Sequence, residues 1–152
     1  MKILSLVLAL FLGLGSMTAA ACRPYIRSNA QIAEQASAIF IAKVFAMRPL
    51  PDGNEALDMK VLETLKGSVL DTFRADAKRM AGAFSPCSAF EGEKIKIDIG
   101  DEWVISAVEY GPNKSLEVMN AFPLSPAHLA DQTERQDKLR PLRLELEKIR
   151  AQ

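Results

Sequence analysis

The sequence predicts a mainly β domain, a small barrel or sandwich followed by a C-terminal amphipathic helix. Three observations carry this reading. Short apolar or alternating runs recur between residues 38 and 119, turn residues separate them, and the hydrophobic period changes at Ser125. Several short strands at regular spacing with turn chemistry between them are the pattern of all-β folds.

The first element is not expected in the mature fold. Lys2, the apolar run Ile3 to Leu14 and the small residues from Gly15 onward have the layout of a secretory signal peptide. The run has 12 residues, short of the ~18 or more needed to span a membrane. Ala19 and Ala21 supply small side chains at the third and first positions before a cut ahead of Cys22. A cut after Ala20 satisfies the same preference nearly as well. The chain is therefore expected to be exported, to a periplasm or to the outside. A lipoprotein signal would also leave Cys22 first, but Ala19 stands where such signals usually carry Leu. A lipid anchor at Cys22 is the alternative processing.

A short helix is expected over Asn29–Gln35, with Ser28 or Asn29 as its cap. Ala38 to Phe45 is uniformly apolar apart from Lys43, as a strand covered on both faces would be. Leu57, Met59 and Val61 alternate with Asp58 and Lys60. Phe73, Ala75 and Ala77 alternate with Arg74 and Asp76. Both read as half-buried strands. Ile95, Ile97 and Ile99 alternate in the same way, Trp103 to Val108 is apolar, and Leu116 to Met119 adds a last strand. Turns fall at Pro51 to Asn54, Gly67-Ser68, Gly100-Asp101 and Gly111 to Asn113. From Ser125, placed as N-cap with Pro126 as the first helical residue, a helix is expected. Leu139, Leu142, Leu146 and Ile149 form its apolar stripe, packed on the barrel, and Pro141 should kink or divide it.

Removing residues 1–21 from the 152 leaves 131, enough for one domain. The expected organisation is signal peptide 1–21, barrel 22–122 and helix 123–152. Only Lys2 is charged in the removed part, so 19 basic and 19 acidic residues become 18 and 19. Such a balance argues against nucleic acid as partner, because its capture depends on Lys and Arg neutralising phosphates. No membrane span is expected in the mature chain.

Two cysteines in an exported chain form, by simple arithmetic, one disulfide, Cys22 to Cys87. Closing that loop would stabilise the fold by roughly 4 kcal/mol on the chain-entropy model. A catalytic or metal-bound thiol would need partners that the sequence scarcely offers, since His128 is the single histidine. No nucleophile motif, phosphate loop or zinc-ligand spacing is present, and no cofactor is expected. The acidic cluster Glu91, Glu93, Asp98, Asp101 and Glu102 alternates with lysines as a solvated face does. The chain is read as a non-enzyme. Trp103 lies among Val104 and Ile105 and reads as core, while Phe84 and Phe90 flank Cys87 as cover for the bridge or as an exposed ridge.

The landmarks follow a familiar order. An N-terminal Cys is followed closely by Pro24. Then come the apolar strand 36–45, VLETLKG at 61–67, DTFRADA at 71–77, Cys87 with Ser88 and Phe90, and the Gly-led strand GDEWVIS at 100–106. Over residues 22–122 this resembles the tissue inhibitors of metalloproteinases and the wider netrin-like domains, in a short single-domain version. The resemblance implies an OB-like barrel of five to six strands, Ile95–Ile99 being the possible addition. It also implies a bridge between Cys22 and Cys87. The family's second bridge is absent, with Pro24 and Asn120 standing where its cysteines would be.

In the inhibitors the amino group and carbonyl of the first Cys chelate the zinc of a target peptidase, and the next side chain enters the pocket beside the cleft. The resemblance assigns these roles to Cys22 and Arg23, with Pro24 in the same contact segment. The zinc would belong to the target, and no metal of its own is expected. Arg23 departs from the small hydroxyl residue common in the inhibitors. The alternative is a non-inhibitory exported module that binds an envelope or extracellular protein, with Cys22 purely structural.

Overall fold

A computed structural model describes residues 27–84, 96–125 and 132–152. These form α1 (Asn29–Gln35), β1 (Ala38–Pro49), β2 (Glu55–Lys66), β3 (Thr72–Asp76), α2 (Ala77–Phe84), β4 (Glu102–Tyr110), β5 (Ser115–Ser125) and α3 (Gln132–Arg150). The strands pair antiparallel in one sheet, in the order β3-β2-β1-β4-β5. The fold is mainly β with a C-terminal helix, as the sequence predicts. The sheet is open, however, and not a closed barrel: β3 and β5 are its edges. Closure would require β3 to meet β5. Instead the chain leaves β3 directly into α2, which lies against β5 with Arg79 Nη1 2.6 Å from the Glu117 carboxylate.

Both faces of the sheet are covered, which explains the uniformly apolar runs. On one face Phe40, Ala42 and Val44 of β1 pack with Leu57 and Met59 of β2, Ala75 of β3, Trp103 and Ile105 of β4, and Met80 of α2. Phe40 and Phe73 meet edge to face, with ring centres 5.0 Å apart. On the other face Ile39, Ile41, Leu65, Val104 and Leu124 meet Ile32, Ala33 and Ala36 from the α1 segment and Leu139, Leu142 and Leu146 of α3. Trp103 is core, as expected.

The α1 helix has the predicted cap. Ser28 Oγ accepts from the Gln31 N–H, and the Gln31 side chain accepts from the Ser28 N–H, a reciprocal capping box. The segment Leu65-Lys66-Gly67 ties this helix to the sheet. Leu65 is buried in the second core, and Lys66 Nζ donates to the Ala33 carbonyl at 2.7 Å. Gly67 has φ +74°, and a β-carbon there would lie 2.3 Å from the Ser37 carbonyl oxygen.

Other expectations are corrected. The alternation expected at Ile95–Ile99 is not a strand over its described part: Ile95 lies outside the described residues, 96–98 carry no strand, and 99–100 form a turn. Ile97 is buried and Ile99 is 60% exposed, because the chain folds back there, with Asp98 N–H on Asp101 Oδ2 and Gly100 N–H on the Val44 carbonyl. Ala77 opens a helix where alternation predicts a strand end. Asp76 Oδ1 accepts from the Arg79 N–H at 3.1 Å, the contact an N-cap carboxylate makes. Ser125 ends β5 opposite Glu102, and Pro126, expected as the first helical residue, lies outside the described residues. Pro141 does not divide α3, which runs from 132 to 150. Its ring lies on the exposed side while Leu139 and Leu142 are buried around it. Ile149 is partly exposed, so the buried stripe is the three leucines. Phe45, expected to be covered on both faces, is half exposed.

Leu142→Ala should cost about 2–5 kcal/mol, read from the urea midpoint. Gly67→Ala should cost more than the ~1–2 kcal/mol of a left-handed residue alone, because the added methyl meets backbone. Gly82→Ala, in α2 with open space around it, should instead stabilise by about 0.5–1 kcal/mol in the same assay.

Candidate functional site

The residues assigned to partner contact, Cys22, Arg23 and Pro24, lie outside the described residues, as do Cys87, Phe90 and His128. Arg27, the first described residue, contacts the last strand of the sheet. Between Ser106 and Ala107 the β4–β5 ladder slips by one residue, so that Met119 is an extra residue on β5. A bulge of this kind leaves its extra residue outside the ladder. Arg27 Nη1 donates to the Met119 carbonyl at 3.3 Å. Beside it Asn120 pairs with Ser106, whose hydroxyl is buried with no hydrogen-bond partner among the described residues. Arg27 is therefore placed at the position next to Asn120.

Where α2 packs on β5 a groove of about 490 Å³ remains between them, lined by Asp76, Arg79, Gly82 and Ala83 from β3 and α2 and by Val118 and Met119 from β5. Its rim carries charge and its floor is apolar. It adjoins the Arg27 contact through Met119.

A second feature was not legible as a site in the sequence. On the face that carries α1 and α3, neither helix covers the part of the sheet beyond Glu102, and Lys43 and Lys60 are exposed there. Asp58 sits there with its side chain 8% exposed, between Arg48 and Arg74, which are 59% and 64% exposed. Arg74 Nε donates to Asp58 Oδ1 at 2.8 Å, and Arg48 Nη2 pairs with Oδ2. The hydrogen bond from Arg74 holds the Asp58 carboxyl below its ordinary range, with Arg48 acting in the same direction against partial desolvation.

The carboxylates of the predicted acidic cluster that the structure describes have structural partners. Asp98 pairs with Lys96, Asp101 accepts from the Asp98 N–H, and Glu102 lies 3.2 Å from Arg135. Among the described residues no three His, Cys, Asp or Glu side chains are grouped to hold a metal, and no helix is long and apolar enough to cross a membrane. Asn113 and Lys114 lie in the exposed β4–β5 turn, just before Ser115 opens β5. No family model matches the chain, and no curated protein matches its sequence.

Because the folded-state pKa of Asp58 is depressed, its contribution to stability is present above the unfolded carboxylate value of about 3.9 and is lost as pH falls through the folded value. Asp58→Asn should therefore be less stable than wild type near neutrality. The difference should shrink below about pH 4, as read by urea unfolding across pH 2–7.

Proposed function

We propose that this chain is an exported protein-binding domain of the netrin-like type, an OB-like barrel whose partner contact is the N-terminal segment starting at Cys22. The observation that carries the reading is connectivity. Five strands in a ring need five pairings, and four are present: β3 with β2, β2 with β1, β1 with β4 and β4 with β5. The missing pairing is β3 with β5, where α2 stands between the edges. OB-folds are partly open five-stranded Greek-key barrels, so an opening at one seam is compatible with that class. Five extra residues, Phe45, Leu62 and Leu65 in the β1–β2 ladder and Met119 and Leu124 in β4–β5, bend the sheet in the way barrels require.

The junction at Arg27 also supports the reading. In the resembled family the N-terminal segment is fastened to the last barrel strand by a second bridge, at the positions of Pro24 and Asn120. Here Arg27 holds the carbonyl of Met119, next to Asn120. A hydrogen bond stands beside the place where that bridge would be.

In its specific form the proposal is inhibition of a zinc metallopeptidase. The Cys22 amine and carbonyl would chelate the target's zinc, Arg23 would enter the adjoining pocket, and a Cys22–Cys87 bridge would hold the amine in place. Chelation needs the neutral amine, whose ordinary pKa is ~7.7–8.0, so inhibition should strengthen as pH rises through that range. The test uses mature protein with a verified free Cys22 terminus and a form that retains Ala21, each titrated against a panel of zinc peptidases. The first should inhibit at least one member, and the second should be weaker by about 100-fold or more, since an amide nitrogen cannot replace the amine. No inhibition by the free-Cys22 form would remove zinc chelation and leave a binding module with Cys22 as a staple.

A further inference from the structure

We infer that the part of the outer sheet face that neither α1 nor α3 covers is a binding site for a tetrahedral oxyanion, a phosphate or sulfate group, held by Lys43, Lys60, Arg48 and Arg74 around Asp58. The register builds this cluster. Lys43 of β1 stands directly opposite Lys60 of β2, and Thr72 of β3 is next in the same row. The following row sets Ala46 opposite Asp58, and Asp58 opposite Arg74. Arg48 reaches the same carboxylate from one row further on. Residues paired across antiparallel strands share a face, so Lys43 and Lys60 stand on the same face as Asp58 and its two arginines, in a neighbouring row.

This arrangement opposes local stability. Like charges directly opposite on a sheet are unfavourable, and Lys43 and Lys60 are both exposed, with no ion pair among the described residues to relieve them. The neighbouring carboxylates are engaged elsewhere. Glu102, next to Lys43 in the row, lies 3.2 Å from Arg135, and Asp76 Oδ1 accepts from the Arg79 N–H. Glu63, further along β2, pairs with Arg143 at 2.8 Å. A chain with equal numbers of acidic and basic residues has thus gathered an excess of positive charge on one open patch. Departures from local rules of this kind concentrate at functional sites.

Asp58 explains how such a site would be organised. It engages Arg74 through Nε and Arg48 through one Nη, leaving the other N–H groups of two largely exposed guanidiniums directed away from it. Two arginines held at one end by a common carboxylate lose less freedom on closing over an anion, and their forks match oxyanion geometry. Lys43 and Lys60 add charge from the adjacent row. Phe45, the extra residue of the β1 bulge between these rows, is half exposed and offers an apolar contact for the molecule that carries the oxyanion.

The experiment is an NMR titration of the ¹⁵N-labelled mature chain with sodium phosphate and sodium sulfate, against sodium chloride at matched ionic strength. Saturable shifts confined to amides around residues 43–48, 58–60 and 72–74 are expected with the oxyanions and not with chloride. The variant Lys43→Gln/Lys60→Gln, its fold verified by its own spectrum, should bind about tenfold more weakly or worse. In low salt without oxyanion the same variant should melt at a higher temperature than wild type, because the opposed charges are gone. Glycerol phosphate and vesicles containing phosphatidic acid then separate a soluble monoester from a headgroup, and preference for either supports the site. Equal responses to oxyanion and chloride, or undiminished binding by the double variant, would overturn it.

Discussion

The sheet depends on what happens to the carbonyl groups that its bulges release. Five extra residues break the regular ladder, and a buried backbone acceptor without a partner is costly. Three of these residues lie under or beside the helical layer, and each carbonyl is met by a cation from outside the sheet. Arg27 takes Met119, Arg150 takes Leu65 at 2.8 Å, and Lys138 makes the longest of the three contacts, 3.5 Å to Leu124. Arg27 just before α1, and the second turn and C-terminal end of α3, are thereby anchored at the points where the strands deviate. The leucine stripe supplies burial on that face, while these directed contacts select where along the sheet each helix rests.

Coverage of the two faces then determines which surfaces remain open. The α2 helix fills the seam between β3 and β5, so one face is closed over Phe40, Met59, Trp103 and Met80. On the opposite face α1 and α3 cover Ile39, Ile41 and Val104 but stop at the row of Glu102, where Arg135 marks the edge of the helical layer. Beyond that row the sheet presents lysines and arginines in place of leucines and isoleucines. The change of residue type along β1, from Ile39 and Ile41 to Lys43, and along β2, from Leu65 to Lys60, follows the boundary of the helix cover.

Much of this was legible in the sequence, and the failures have specific physical origins. The α1 capping box, strands β1, β2, β4 and β5 and the leucine stripe of α3 were readable because local chemistry and burial agree there. The alternation at Ile97 and Ile99 misled because a period of two also arises in a bent segment with one residue turned into a core. The α2 helix was hidden because the alternation Phe73, Ala75, Ala77 runs through its start, and Asp76 can serve a strand or cap a helix. Pro141 did not interrupt α3 because the ring projects to solvent while the leucines on either side keep the helix pressed to the sheet. The Asp58 cluster was invisible for another reason: Arg48, Asp58 and Arg74 belong to three strands, and only register brings them together.

The amino-acid sequence by itself determined the class of the fold, its turns and the leucine face that α3 buries, because these follow from hydrophobic period and from turn residues within a few positions of one another. Tertiary structure alone decided that the sheet stays open at β3 and β5, which carbonyls are released by bulges and which cations answer them, and where charge accumulates on the uncovered face. Those outcomes are set by register between strands distant in sequence, and a slip of one residue, as at Phe45 or Met119, changes them without changing any local pattern.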